Sequence, residues 1–160
     1  LNKIIRINIK NKKNLGSDRI ANAIGAKKLK NCLIIDFGTA TTFDVIKNGT
    51  YEGGVIAPGI NLSIKNLSQA TALLPLINLK NRQKSYGKNT IEALNAGFVW
   101  GYEGLINNII DKIISKSKIK YKILLTGGYA NFFKKMIKKK VIIDQDITIK
   151  GIANAYKELV

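Results

Sequence analysis

The chain has 160 residues with 27 Lys and Arg against 10 Asp and Glu, a formal charge of +17, and 46% hydrophobic residues. That is enough for one domain with a real core, or one domain plus part of another. No apolar run is long and pure enough to span a bilayer, and histidine is absent, which excludes His-based catalysis and His metal sites. The lysines are spread along the whole chain beside isoleucine and asparagine, so the charge reads as a compositional bias rather than a nucleic-acid footprint. Only Lys134-Lys135 with Lys138-Lys139-Lys140 is dense, and it reads as the solvated end of a helix. No nucleic-acid or membrane partner is expected. The single cysteine, Cys32, falls in an apolar run and reads as a small core residue in a reducing cytoplasm.

Taken in order, Ile5, Ile7 and Ile9 alternate with Arg6 and Asn8, a half-buried strand over Ile4 to Ile9. After a polar connector, Ile20, Ala21, Ala23, Ile24 and Ala26 recur at helical spacing, with Ser17 as the expected N-cap and Asp18 and Arg19 in the first turn. Cys32 to Ile35 forms a buried strand that ends in Asp36-Phe37-Gly38-Thr39-Ala40-Thr41-Thr42, followed by a second strand through Phe43, Val45 and Ile46. Gly38 lets a ligand approach the backbone, the threonines offer donors to phosphate oxygens, and Asp36 can hold a cation that offsets phosphate charge.

Asn48-Gly49 signals a hairpin, and a third strand runs from Tyr51 through Gly53-Gly54 to Pro58, its paired glycines marking a bulge or a close backbone approach. Ile60 to Leu74 reads as an amphipathic helix and Lys80 to Ser85 as a polar loop. Asn89 and Glu92 fit a capping box at the start of the longest helix, Thr90 to Ser115. Gly97, Gly101 and Gly104 within it lower helix propensity and imply tight packing against another helix, the sheet or a second subunit. Tyr121 to Leu125 is a strand that runs into Thr126-Gly127-Gly128. A helix is expected over Tyr129 to Lys138, a short strand over Val141 to Asp144, and a last helix over Ile149 to Leu159. A strand leading through paired glycines into a helix is a common nucleotide-docking geometry.

Gly16-Ser17-Asp18-Arg19, Asp36-Phe37-Gly38-Thr39, Tyr51-Glu52-Gly53-Gly54-Val55-Ile56-Ala57-Pro58-Gly59, Gly87-Lys88-Asn89-Thr90 and Thr126-Gly127-Gly128, in this order, resemble type III pantothenate kinase. The resemblance implies an α/β, ribonuclease-H-like (actin-like ATPase) fold with a mixed sheet of about five strands flanked by helices. Residues 31-160 would form the second lobe and 1-30 the end of a first. It implies ATP-dependent phosphorylation of pantothenate, with Asp18 as general base and Gly16, Ser17, Asp18, Arg19 and Thr90 binding substrate. Gly38 and Thr39 would contact ATP, Gly127 and Gly128 would lie by its adenosine, and Asp36 would bind a monovalent cation (K+ or NH4+), with Mg2+ accompanying ATP. A cytoplasmic homodimer is implied as well.

Three departures accompany the resemblance. Family members carry an Asp-x-Gly-Asn-Thr phosphate loop in their first lobe, and the chain, which opens at Leu1 on a strand-like run, reads as the part that follows it. An apolar surface is expected where that lobe packs. Ile9 stands where the family tends to have a tyrosine, and Asn11-Lys12 where many members have Asn-Pro. A non-catalytic homologue with a regulatory or binding role is the alternative to a kinase.

Overall fold

A computed structural model describes residues 4–80 and 84–159. Asn81, Arg82 and Gln83, within the polar loop expected over Lys80 to Ser85, lie outside the described residues. The described strands form one six-stranded mixed sheet: β1 (Arg6–Ile7), β2 (Cys32–Phe37), β3 (Ala40–Lys47), β4 (Thr50–Pro58), β5 (Lys122–Gly127) and β6 (Val141–Ile143), in the order β1-β4-β3-β2-β5-β6. The pairs β2–β3 and β3–β4 are antiparallel, while β1–β4, β2–β5 and β5–β6 are parallel. Five strands were expected; the sixth arises because β1 pairs Arg6 with Thr50 and Ile7 with Tyr51 in the same sheet.

Helices cover both faces, so β2 is apolar on both sides, as in strands sandwiched between helices. Leu33, Ile35 and Phe37 alternate onto the face carrying α2 (Ile60–Ala70), α3 (Thr90–Ser115) and α4 (Ala130–Phe133). Cys32 and Ile34 point to the opposite face, where α1 (Ser17–Gly25) and α5 (Ile147–Leu159) lie. There α1 and α5 come close enough that a Cβ on Gly151 would fall 1.8 Å from the Ala21 carbonyl oxygen. Burial pushes the Cys32 thiol up to about 12, which keeps it protonated and inert at neutral pH.

The boundaries depart from expectation where side chains outcompete the helical ladder. The first residue of α1 is Ser17 rather than its N-cap; Gly16 holds that position and no side chain caps the turn. Helix α2 stops at Ala70 instead of Leu74, since Thr71 donates to the Leu67 carbonyl at 2.8 Å and Ser68 to that of Leu74 at 3.1 Å. The helix expected over Tyr129 to Lys138 is only Ala130–Phe133. Buried Asn107 of α3 donates to the Met136 carbonyl (3.0 Å) and accepts from the Lys138 amide (2.9 Å), diverting the backbone groups that would extend it. By contrast α3 has its expected bounds, with Asn89 accepting from the Glu92 amide at 3.0 Å, a cap worth about 1 kcal/mol. Glu92 reciprocates one residue early, accepting from the Lys88 amide.

Candidate active site

The parallel strands β2 and β5 end side by side, pairing Asp36 with Thr126 and Phe37 with Gly127. Gly127 closes that end: its φ is +84°, and a Cβ there would stand 2.7 Å from both an Asp36 carboxylate oxygen and the Phe37 backbone. The Gly128 amide donates to the Phe37 carbonyl at 3.2 Å, and that of Gly38 to Ala40 at 3.1 Å, so both amides are engaged within the turns. Exposed Thr39 sits at the β2–β3 turn. Asp36, Gly38, Thr39, Gly127 and Gly128 are thus gathered at one end of the sheet.

Helix α1 crosses the sheet face on which the even-numbered residues of β2 and β3 lie. Arg19 and Asn22, three residues apart and so on one helical face, meet two carboxylates there. Arg19 donates through Nε (2.8 Å) and Nη2 (2.6 Å) to Asp44 Oδ1. The Asn22 amide donates to Asp36 Oδ2 at 2.8 Å, and its carbonyl accepts from the Thr148 hydroxyl of α5 at 2.5 Å. Tyr51 donates to Asp44 at 2.8 Å and Thr42 at 3.4 Å. Asp44 is fully buried and the Arg19 side chain 14% exposed. The exposed residues Gly16, Ser17 and Asp18 form the free N-terminal turn of α1.

Asp44, Asn22, Tyr51 and Thr148 were not foreseen as site residues. The available signal was the spacing of Arg19 and Asn22 within an otherwise Ala- and Ile-rich helix. Thr90 lies apart from this cluster: it begins α3 and lines an apolar groove with Pro58, Leu94 and Phe98.

Burial raises the Asp36 carboxyl above its ordinary range and the nearby Asp18 charge adds to this, while the Asn22 hydrogen bond opposes it. The folded chain therefore holds this proton more tightly than the unfolded one. Its stabilising effect is complete below the ordinary carboxylate range and declines as pH rises through the raised folded value. Asp36→Asn keeps an acceptor for Asn22, so the variant is expected to melt above wild type at neutral pH and to lose that margin below about pH 4. Thermal melts across this range, in buffer without added potassium, check it. A variant that melts lower at neutral pH contradicts the assignment.

The type III pantothenate kinase family model matches residues 2–112. The chain belongs to this family. It is 53% identical over 156 residues to the type III pantothenate kinase of Pelagibacter ubique (strain HTCC1062), covering 97% of this chain and 62% of that protein. A second relative of the same name, from Persephonella marina (strain DSM 14350 / EX-H1), is 40% identical over 155 residues, covering 95% and 61%. The chain thus spans about three fifths of the length of these relatives. Among solved structures, one from Campylobacter jejuni assigned to the Baf family of transcriptional activators aligns with a TM-score of 0.68 at 26% identity, covering 95% of this chain and 68% of that one. A 2-dehydro-3-deoxygalactonokinase-type protein from Sinorhizobium meliloti aligns with a TM-score of 0.59 at 11% identity, covering 89% and 58%, which bears on fold alone. The ribonuclease-H-like, actin-like ATPase fold expected from the motifs is the fold observed.

Proposed function

We propose that the protein containing this chain phosphorylates pantothenate with ATP, the first step of coenzyme A synthesis. The supporting observation is that the Asp18 turn is pinned, through Arg19 and Asn22, over the sheet end where Asp36, Thr39 and Gly127 gather. Asp18, exposed and at a helix N-terminus, accepts the proton of pantothenate's primary hydroxyl as that oxygen attacks the terminal phosphorus of ATP, whose bond to the bridging oxygen breaks to release ADP. Transfer of this kind depends mainly on positioning and charge neutralisation. Gly16, Ser17 and Arg19 complete the substrate stretch, Gly38 and Thr39 face the phosphates, and Gly127 and Gly128 flank the adenosine.

Asp36 suits a monovalent cation. It offers one carboxylate, whose Oδ2 is held by Asn22, a hard and singly charged donor. Mg2+ is proposed to accompany ATP, and no cluster of three or more acidic, Cys or His side chains occurs among the described residues. Potassium, when bound, would offset phosphate charge at that end of the sheet.

The dimer reading has its own support. Among the described residues nothing lies within 4 Å of a Cβ added to Gly97, Gly101 or Gly104, so the packing expected against these glycines is not made by those residues. Gly97 and Gly101 instead line the open apolar groove of about 590 Å3 with Leu94, Phe98, Leu105 and Thr90. A second copy on this face would bury the groove and bring Thr90 to the subunit boundary, in keeping with its pantothenate role. Gly101→Glu is expected to shift the protein from dimer to monomer in sedimentation velocity; a wild-type monomer contradicts the dimer.

On the outer side of α5, Ile149, Ile152, Tyr156 and Leu159 are all 60% exposed or more and recur at helical spacing, opposite buried Ile147 and Gly151. This exposed apolar face supports the expectation of a surface on which a first lobe packs. No helix among the described residues is long and apolar enough to cross a membrane; the cytoplasmic location is proposed from the family resemblance. The decisive assay is formation of 4'-phosphopantothenate from ATP and pantothenate by the complete gene product, followed by mass spectrometry. Its absence under potassium and magnesium leaves the non-catalytic reading.

A further inference from the structure

We propose that Arg19, Asp44 and Tyr51 form a positioning device that seats Asp18, and that the Arg19 guanidinium does not read the substrate's carboxylate. The inference rests on the reading of Asp18 as the general base and revises the role of its neighbour. Two guanidinium nitrogens converge on one oxygen of Asp44, at 2.6 and 2.8 Å, so the positive charge is already neutralised. Tyr51 donates to that same oxygen at 2.8 Å and Thr42 to the other at 3.4 Å, which fixes the carboxylate plane. The guanidinium carbon lies 5.9 Å from the centre of the Tyr51 ring, a cation–π distance. Space for this arrangement comes from Gly54 on β4: a Cβ there would stand 2.7 Å from Arg19 Nη2 and 2.0 Å from the Phe43 carbonyl oxygen.

Strands β3 and β4 thus clamp the first turn of α1 at the residue that follows Asp18. A group built to recognise a substrate carboxylate presents its donors to the ligand without a resident anion, because an anion already bound cancels the field that recruits another. Here the resident anion is fully buried. What the clamp supplies is a fixed place for the helix N-terminus, and displacements of about 1 Å at a reacting group can cost about 100-fold in rate.

The test compares two acceptors with the complete gene product: pantothenate, and its neutral alcohol analogue, pantothenol, in which the carboxylate is a hydroxymethyl group. Asp44→Asn is expected to lower kcat by about 100-fold on both acceptors alike, with KM changed by no more than about threefold. Tyr51→Phe removes one hydrogen bond and leaves the ion pair, so it keeps the question answerable if Asp44→Asn folds poorly; a fall in kcat of about 3- to 10-fold on both acceptors is expected. Variants that raise KM for pantothenate while leaving pantothenol untouched would show Arg19 reading the carboxylate and overturn the inference. A wild-type protein that phosphorylates neither acceptor overturns the kinase reading itself, and this inference with it.

Discussion

Asp18→Asn is expected to lower turnover by about 100- to 10,000-fold while leaving the fold intact. The side chain is exposed in the first turn of α1, and no hydrogen bond or ion pair among the described residues depends on it. Its structural contribution is limited to a carboxylate at a helix N-terminus, worth about 0.3–1 kcal/mol. The expected loss of transition-state stabilisation is about 3–5 kcal/mol, since each tenfold in rate is about 1.4 kcal/mol. The catalytic effect therefore dominates by a wide margin. Because the proton moves only in the transition state, kcat should fall and KM for pantothenate should stay near wild type. Steady-state kinetics beside circular-dichroism melts separate the two effects. Activity above a tenth of wild type with an unchanged melt would remove Asp18 from the role of base.

Much of this site was readable from residue order, and the unread part has a definite physical cause. The strand–Asp36-Phe37-Gly38-Thr39–strand unit and the Thr126-Gly127-Gly128 turn were visible because apolar runs and glycines mark strand ends locally. Asp44 was not visible. In β3 the residues Thr42, Asp44 and Ile46 alternate with Thr41, Phe43 and Val45. A lone carboxylate in such a pattern reads as solvent-facing, and only the α1 helix lying over that face makes it a buried ion-pair partner. The same holds for Asn22, whose burial depends on β2 beneath it and on Thr148, 126 residues away in sequence. The early end of α4 has a similar origin, for the competing group is the amide of Asn107 on another helix. The glycines of α3 mark a packing surface in the sequence, and among the described residues Gly97 and Gly101 line an open apolar groove instead. Local propensity and period specify elements, whereas buried polar partners belong to the tertiary arrangement.

Those buried partners make Arg19→Met the substitution with the largest expected effect on stability. Removing one member of a buried, hydrogen-bonded ion pair leaves the other charged and without its counter-ion, a loss of about 3–5 kcal/mol. Set against a total of about 5–15 kcal/mol for a domain, this brings the variant near the edge of folding. Asp44 is the charge that would be stranded, fully buried with the Tyr51 and Thr42 hydroxyls as its remaining side-chain donors among the described residues. Burial already raises its carboxyl above the ordinary range, with Arg19 and both hydroxyls opposing that rise. Without Arg19 the rise is larger, so the folded variant takes up a proton that the unfolded chain does not hold. Stability of Arg19→Met should therefore improve as pH falls toward the carboxylate range, narrowing its gap from wild type, which retains the ion pair. The double variant Arg19→Met/Asp44→Asn removes the stranded charge and still offers Tyr51 an acceptor, so it should be more stable than Arg19→Met alone at neutral pH. Urea midpoints for the three proteins, at neutral and acid pH, measure both effects. If Arg19→Met unfolds at the wild-type midpoint, the ion pair contributes little net stability and its conformational role must be carried by the Asn22–Asp36 contact instead.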